Sequence, residues 1–136
     1  MVCPGVLVCA ILPAAQEGME HMDTFGVVIV DDHPLFREGV RSVIDSEEDL
    51  DVLAEGTSGD QALQLVRELR PRVSLIDVNL PNMNGMQVTR QIGAERLDTS
   101  VVLLTAYDDV EQVLHAFSAG AAAYCSKDVE AGKLVD

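Results

Sequence analysis

Four short apolar runs, each closing on a polar side chain, constrain this chain more than any other feature. Val27-Val-Ile-Val30 runs into Asp31-Asp32-His33, and Val73-Ser-Leu-Ile76 runs into Asp77. Val101-Val-Leu-Leu104 runs into Thr105, and Ala121-Ala-Ala-Tyr-Cys125 into Ser126-Lys127. Runs this short and this apolar suit strands covered on both faces, as in parallel sheets. Between them, apolar residues recur at helical spacing: Leu35, Phe36, Val40, Val43 and Ile44, then Ala62, Leu63, Val66 and Leu69, then Val110, Val113, Leu114 and Phe117. The alternation predicts strands near 26–30, 51–55, 73–77, 100–104 and 121–125, with a further helix between Gly85 and Leu97. That is an α/β fold with a parallel sheet built from βαβ units.

Helix ends carry matching signals. Pro34 suits a first helical position, Ser58 or Asp60 can cap the helix after the second strand, and Gly120 suits a left-handed cap. Residues 129–136 supply only about two turns, so the final helix is expected to be truncated. Residues 1–24 stand outside the alternation and are read as an N-terminal extension, with the main domain at 25–136. Within the extension, Val6 to Leu12 has the apolar look of a short signal sequence, but no Lys or Arg precedes it, which argues against secretion; Met19 and Met22 leave an over-called start as one reading and a genuine extension, able to pair with a sheet edge or a second subunit, as the other.

A chain of 136 residues, 48% of them apolar, supports one domain with a real core. Its formal net charge of -14 argues against direct nucleic-acid binding by these residues, since phosphate contacts need clustered Lys and Arg. The three cysteines, Cys3, Cys9 and Cys125, form no CxxC pair, and a reducing cytoplasm is the expected setting. No apolar run is long enough to span a bilayer, so no membrane partner is expected.

In an open parallel sheet, ligands bind beyond the carboxyl ends of the strands, where the strand order reverses. Right-handed crossovers would place Asp31, Asp32, Asp77, Thr105 and Lys127 around one such crevice. Three carboxylates brought together repel unless a cation joins them, and a hard divalent ion such as Mg²⁺ is held by one or two carboxylates plus a phosphate oxygen. Lys127 and Thr105 then suit the remaining phosphoryl oxygens. The sum is a site for placing a phosphoryl group on Asp77. Taken singly, each residue has a plainer reading: Asp31-Asp32 as a turn or helix cap, Thr105 as a cap, Lys127 as a solvated cation, and His33, His21 and His115 as structural histidines. Pro81 and Gly85 shape the loop after Asp77 in either reading.

With those residues in view, Val-Asp-Asp-His-Pro-Leu-Phe-Arg-Glu-Gly39, Leu-Ile-Asp-Val-Asn-Leu-Pro-Asn-Met-Asn-Gly85, Leu-Leu-Thr-Ala106 and Tyr-Cys-Ser-Lys-Asp128 resemble the receiver domain of two-component response regulators, NarL/FixJ-type. The resemblance covers Phe25 to the end of the chain. It implies a doubly wound, flavodoxin-like (CheY-like) sheet of strand order 2-1-3-4-5. It also implies Asp77 as phosphoacceptor, Asp32 as a direct Mg²⁺ ligand, Asp31 as a ligand through water, and the Asn79 backbone carbonyl as a further ligand. Lys127 and Thr105 would bind the phosphoryl group beside the small Ala106, and Tyr124 holds the switch-aromatic position. The implied partners are a sensor histidine kinase and, on activation, a second copy of the chain, with a helix-turn-helix DNA-binding domain beyond these residues. Two departures stand out: Asp128 follows Lys127 where many receivers carry Pro, and Asn79 and Tyr107 occupy positions where the family tunes dephosphorylation.

Two other functions compete. A haloacid-dehalogenase-like phosphatase also uses an Asp nucleophile with Mg²⁺, but needs a second Asp two residues on, where this chain has Asn79 after Asp77 and His33 after Asp31. An interaction-only receiver would keep the fold without phosphorylation, against which the full acidic set and Lys127 argue.

Overall fold

The computed structural model describes residues 25–105 and 110–126. Five strands, β1 (Phe25–Val30), β2 (Leu50–Gly56), β3 (Val73–Asp77), β4 (Ser100–Thr105) and β5 (Ala123–Ser126), form one sheet in the order 2-1-3-4-5. Every neighbouring pair is parallel. Four helices connect or follow them: α1 (Pro34–Asp45), α2 (Gly59–Leu69), α3 (Gly85–Ala94) and α4 (Val110–Ala119). This is the doubly wound, CheY-like arrangement expected from the sequence. The extension at 1–24, Ala106, Tyr107, Lys127, Asp128 and the short final helix expected at 129–136 lie outside the described residues.

The continuous apolar runs are explained by burial on both faces. In β1, Val27 and Ile29 pack with Val40 and Ile44 of α1, while Val28 and Val30 pack on the other face with Ala62, Leu63 and Val66 of α2. All five residues of β3 are buried, so Asp77 ends a strand that has no solvent-facing side. Burying each large aliphatic side chain contributes roughly 1.5–3 kcal/mol, which makes this central layer the most stable part of the molecule.

The cap signals map closely onto the structure. Pro34 opens α1, and the Ser58 side chain accepts from the Gln61 amide at the start of α2. Gly120 takes φ +109°, with its amide on Phe117 and the Ala121 amide on Ala116, closing α4 in a Schellman pattern. That cap uses residues 120–121, which is why β5 starts at Ala123 and not at the expected 121. The helical stripes were over-extended: Leu35, Leu69, Leu114 and Phe117 are 82%, 41%, 62% and 50% exposed. Over residues 114–119 of α4, the buried side chains are Ala116 and Ala119, three residues apart on one face, and small enough to let the helix approach closely. No helix among the described residues is long and apolar enough to cross a membrane.

Candidate phosphoacceptor site

The chain steps outward from β1 to β2 and then returns to the far side of β1 as β3. The strand order therefore reverses between β1 and β3, and the carboxyl ends of those two strands are where a crevice opens. β1 delivers Asp31 and Asp32 just past Val30, and β3 delivers Asp77 as its last residue. The ligand atoms of Asp31, Asp32, His33 and Asp77 all lie within 4.8 Å of one another. Asp31 and Asp77 are buried, at 0% and 1% exposure, whereas Asp32 and His33 form the rim.

Asp31 is held by its backbone. The Asp31 amide donates to the Gly56 carbonyl at 3.0 Å, which extends the β1–β2 pairing past the strand end. The Asp31 carbonyl accepts from Arg37 Nη1 at 2.7 Å, tying the turn to the first part of α1. Arg37 also meets Glu55 through its Nε at 3.1 Å, so α1, β2 and the Asp31 turn are clamped by one guanidinium.

The loop after Asp77 is fixed as firmly. The Val78 amide continues the ladder to the Leu104 carbonyl at 2.8 Å, and the Gly85 amide closes the loop onto the Val78 carbonyl at 2.9 Å. Val78 and Leu80 are buried, and Asn84 caps α3 in a reciprocal pair with Gln87. A Cβ at position 85 would lie 2.5 Å from the Asp77 carbonyl oxygen, so only glycine permits this closure. The result sets Asn79 directly over the acid: its amide donates to Asp77 Oδ1 at 3.2 Å, while its side chain is exposed.

Thr105 is fully buried at the end of β4, one residue past Leu104, which is the register partner of Asp77. It pairs with Ser126 on β5, the last described residue before Lys127. Tyr124 is half-buried on β5 opposite Leu103 and packs against the core on the α2–α4 side of the sheet. Of the site residues drawn from the sequence, the structure brings Asp31, Asp32 and Asp77 together, sets Asn79 and Thr105 on the adjoining loop and strand end, and leaves Lys127 outside the described residues.

One residue exceeds its sequence reading. His33 was assigned a structural part at the start of α1, yet its ring does not cap that helix. Its Nδ1 lies 2.8 Å from Asp31 Oδ1, 3.1 Å from Asp32 Oδ1 and 3.7 Å from Asp77 Oδ2. The only sequence signal was its position directly after two acids, with Pro34 holding the next φ; His33 itself is extended, at φ -105°.

Two buried carboxylates separated by less than 4.8 Å, if both ionised, repel by roughly 3 kcal/mol or more at an effective dielectric of about 20. The carboxylate oxygens of Asp31, Asp32 and Asp77, set on a fixed frame, have the donor chemistry of a hard divalent cation such as Mg²⁺.

The comparisons with known proteins agree with this architecture. The family model described as the response regulator receiver domain matches residues 27–136. The transcriptional regulatory protein DegU of Brevibacillus brevis is 38% identical over 110 residues, covering 81% of this chain and 47% of that protein. The nitrate/nitrite response regulator protein NarL of Escherichia coli is 31% identical over 112 residues, covering 82% of this chain and 52% of that protein. The chain thus spans about half the length of these curated relatives. Among solved structures, the signal receiver domain of the response regulator NarL from Mycobacterium tuberculosis superposes with a TM-score of 0.77 at 36% identity, covering 83% of this chain and 91% of that one. Sheet order, acidic crevice and sequence matches converge, and the chain belongs to the response regulator receiver domain family, in its NarL/FixJ-type, CheY-like branch.

Proposed function

We propose that this domain is a phosphorylation switch in which Asp77 accepts a phosphoryl group from a sensor histidine kinase or a small phosphodonor, with Mg²⁺ bound. The observation that carries the reading is the meeting of Asp31, Asp32 and Asp77 at the strand-order reversal. In this reading Asp32, Asp77 and the Asn79 carbonyl would hold the cation directly, and Asp31 would hold it through water. The bound cation would neutralise charge on the acids and on the incoming phosphoryl group. An Asp77 carboxylate oxygen forms the new bond to phosphorus as the bond to the donor's leaving group breaks. Asn79 keeps the other oxygen oriented through its amide, and Thr105 and Lys127 bind phosphoryl oxygens. The domain acts as a phosphoacceptor that catalyses its own modification, not as an enzyme turning over a separate substrate.

The output follows from the relatives' names, which describe transcriptional regulators. Phosphorylation would bias a two-state equilibrium through Thr105 and Tyr124, promoting a homodimer and action through a helix-turn-helix domain beyond residues 25–136, in the cytoplasm. Residues 1–24 are proposed as an extension outside the switch. The test is intact mass after incubation with Mg²⁺ and acetyl phosphate. A gain of one phosphoryl group in the parent and none in Asp77→Asn is expected; no gain in either protein would leave an interaction-only receiver as the better account.

A further inference from the structure

The chemistry proposed for Asp77 needs only oxygen ligands, so the imidazole among the acids is left without a part in it. His33 is a rim residue whose side chain is 63% exposed, yet its ring nitrogen Nδ1 sits among the acids. The His33 amide donates to Asp31 Oδ1 at 2.8 Å and the ring Nδ1 lies 2.8 Å from the same oxygen, a contact that the tautomer protonated on Nε2 turns into a lone pair facing the acids. Around one ion with bonds of about 2.1 Å, neighbouring ligand atoms stand about 3.0 Å apart in an octahedron and about 3.4 Å apart in a tetrahedron. The distances from Nδ1 to Asp31, Asp32 and Asp77, 2.8, 3.1 and 3.7 Å, fall around those edges. The ring nitrogen therefore stands at ligand-to-ligand spacing from the acids, whose own ligand atoms lie within 4.8 Å of one another.

We infer that His33 is a metal ligand through Nδ1, and that it opens this crevice to late first-row ions such as Zn²⁺, Ni²⁺ and Cu²⁺ in addition to a hard cation. The inference rests on the reading of the acidic crevice as a divalent-cation site. Imidazole suits these ions and contributes little to Mg²⁺, which prefers oxygen. Asp31, Asp32, Asp77 and His33 together make a four-ligand set. Four-coordinate zinc sites made wholly of protein ligands are closed ones, with no position left for a phosphoryl oxygen. Zinc bound this way would hold the switch off by occupying Asp77.

Calorimetric titration of the metal-free chain with ZnCl₂ and with MgCl₂ tests this, on the parent, His33→Ala and His33→Asn. Asparagine can still donate a hydrogen bond to Asp31, so it separates lost anchoring from lost ligation. Both variants are expected to weaken Zn²⁺ on the order of 10- to 100-fold while leaving Mg²⁺ within about twofold. Copper electron paramagnetic resonance supplies a direct readout: imidazole nitrogen coupling present in the parent and lost in both variants, with His21 and His115 unchanged in all three proteins. Equal Zn²⁺ affinity across the three proteins, or nitrogen coupling that survives in the variants, overturns the inference. Asp32→Ala distinguishes the two readings. If it abolishes Mg²⁺ binding while Zn²⁺ ignores His33, the cation site stands and the His33 inference falls. If the parent binds no Mg²⁺, the phosphoacceptor reading falls instead.

Discussion

Carboxylates are handled in opposite ways at two places in this molecule. On the flanks, Glu55 meets the guanidinium groups of Arg37 and Arg41, and Glu95 meets Arg67 through two parallel contacts joining α3 to α2. Burial opposes the Glu55 charge, but the hydrogen bonds from Arg41 and Arg37 outweigh it and hold the carboxyl below its ordinary range. Hydrogen bonds from Arg67 and Gln91 bring Glu95 down to about 2. At the strand ends, Asp31, Asp32 and Asp77 are gathered with one another around a single imidazole. The first arrangement satisfies each charge within the fold. The second brings carboxylates to one another and to an imidazole, a donor set that a divalent cation can join.

The sharpest break between the two regions is at Asp77. Asp77→Asn keeps the shape and the acceptor for the Asn79 amide but removes the nucleophile, so phosphorylation by acetyl phosphate should vanish entirely, as read by intact mass. Glu95→Gln in the same assay should label like the parent. Equal labelling of the Asp77 variant would place the modification elsewhere.

Next in size is Gly85→Ala. The added Cβ would press on the Asp77 carbonyl oxygen at 2.5 Å and on Val78 Cα at 2.9 Å, both backbone atoms that cannot swing away. A cost of about 1–3 kcal/mol is expected, with a lowered thermal midpoint and slower phosphorylation, because the loop carrying Asn79 must shift. An unchanged midpoint would show that the closure is looser than described.

The third test reverses sign between the regions. Asp32→Ala should raise the stability of the metal-free protein by about 0.5–1 kcal/mol, modest because Asp32 faces solvent in part. Excess Mg²⁺ should then stabilise the parent and not the variant. Thermal unfolding with chelator and with Mg²⁺ reads both effects. A variant less stable than the parent in chelator would mean that the acids are not held against their mutual repulsion.

Much of this was legible in the sequence for a physical reason. The parallel sheet makes its strands continuous apolar runs, and a run that ends on Asp or Thr marks the strand end where ligands bind, so Asp31, Asp77 and Thr105 could be placed by local pattern alone. Ser58, Pro34 and Gly120 were equally readable, because cap chemistry is local. What failed depended on direction across space. Leu35, Leu114 and Phe117 fit a helical period, but the face that meets the sheet is set by tertiary packing, and over residues 114–119 of α4 it is Ala116 and Ala119 that are buried. The His33 ring lies against Asp31 and Asp32, its own neighbours in sequence, and 3.7 Å from Asp77, 44 residues on, a contact that local pattern does not carry.

The smallest effect belongs to the flank. Glu95 titrates at an ordinary 4.5 when unfolded and near 2 when folded, so its ion pair favours the folded state fully above about 4.5 and progressively less as pH falls towards 2. Both groups face solvent, so the contribution at neutral pH is slight and weakens with salt. Glu95→Gln should therefore lower the thermal midpoint a little at neutral pH and match the parent near pH 2, with the difference closing across that acid window. A midpoint difference that stays constant with pH would mean that Glu95 acts through packing of α2 against α3, and that the flank carboxylate owes its place to shape and not to charge.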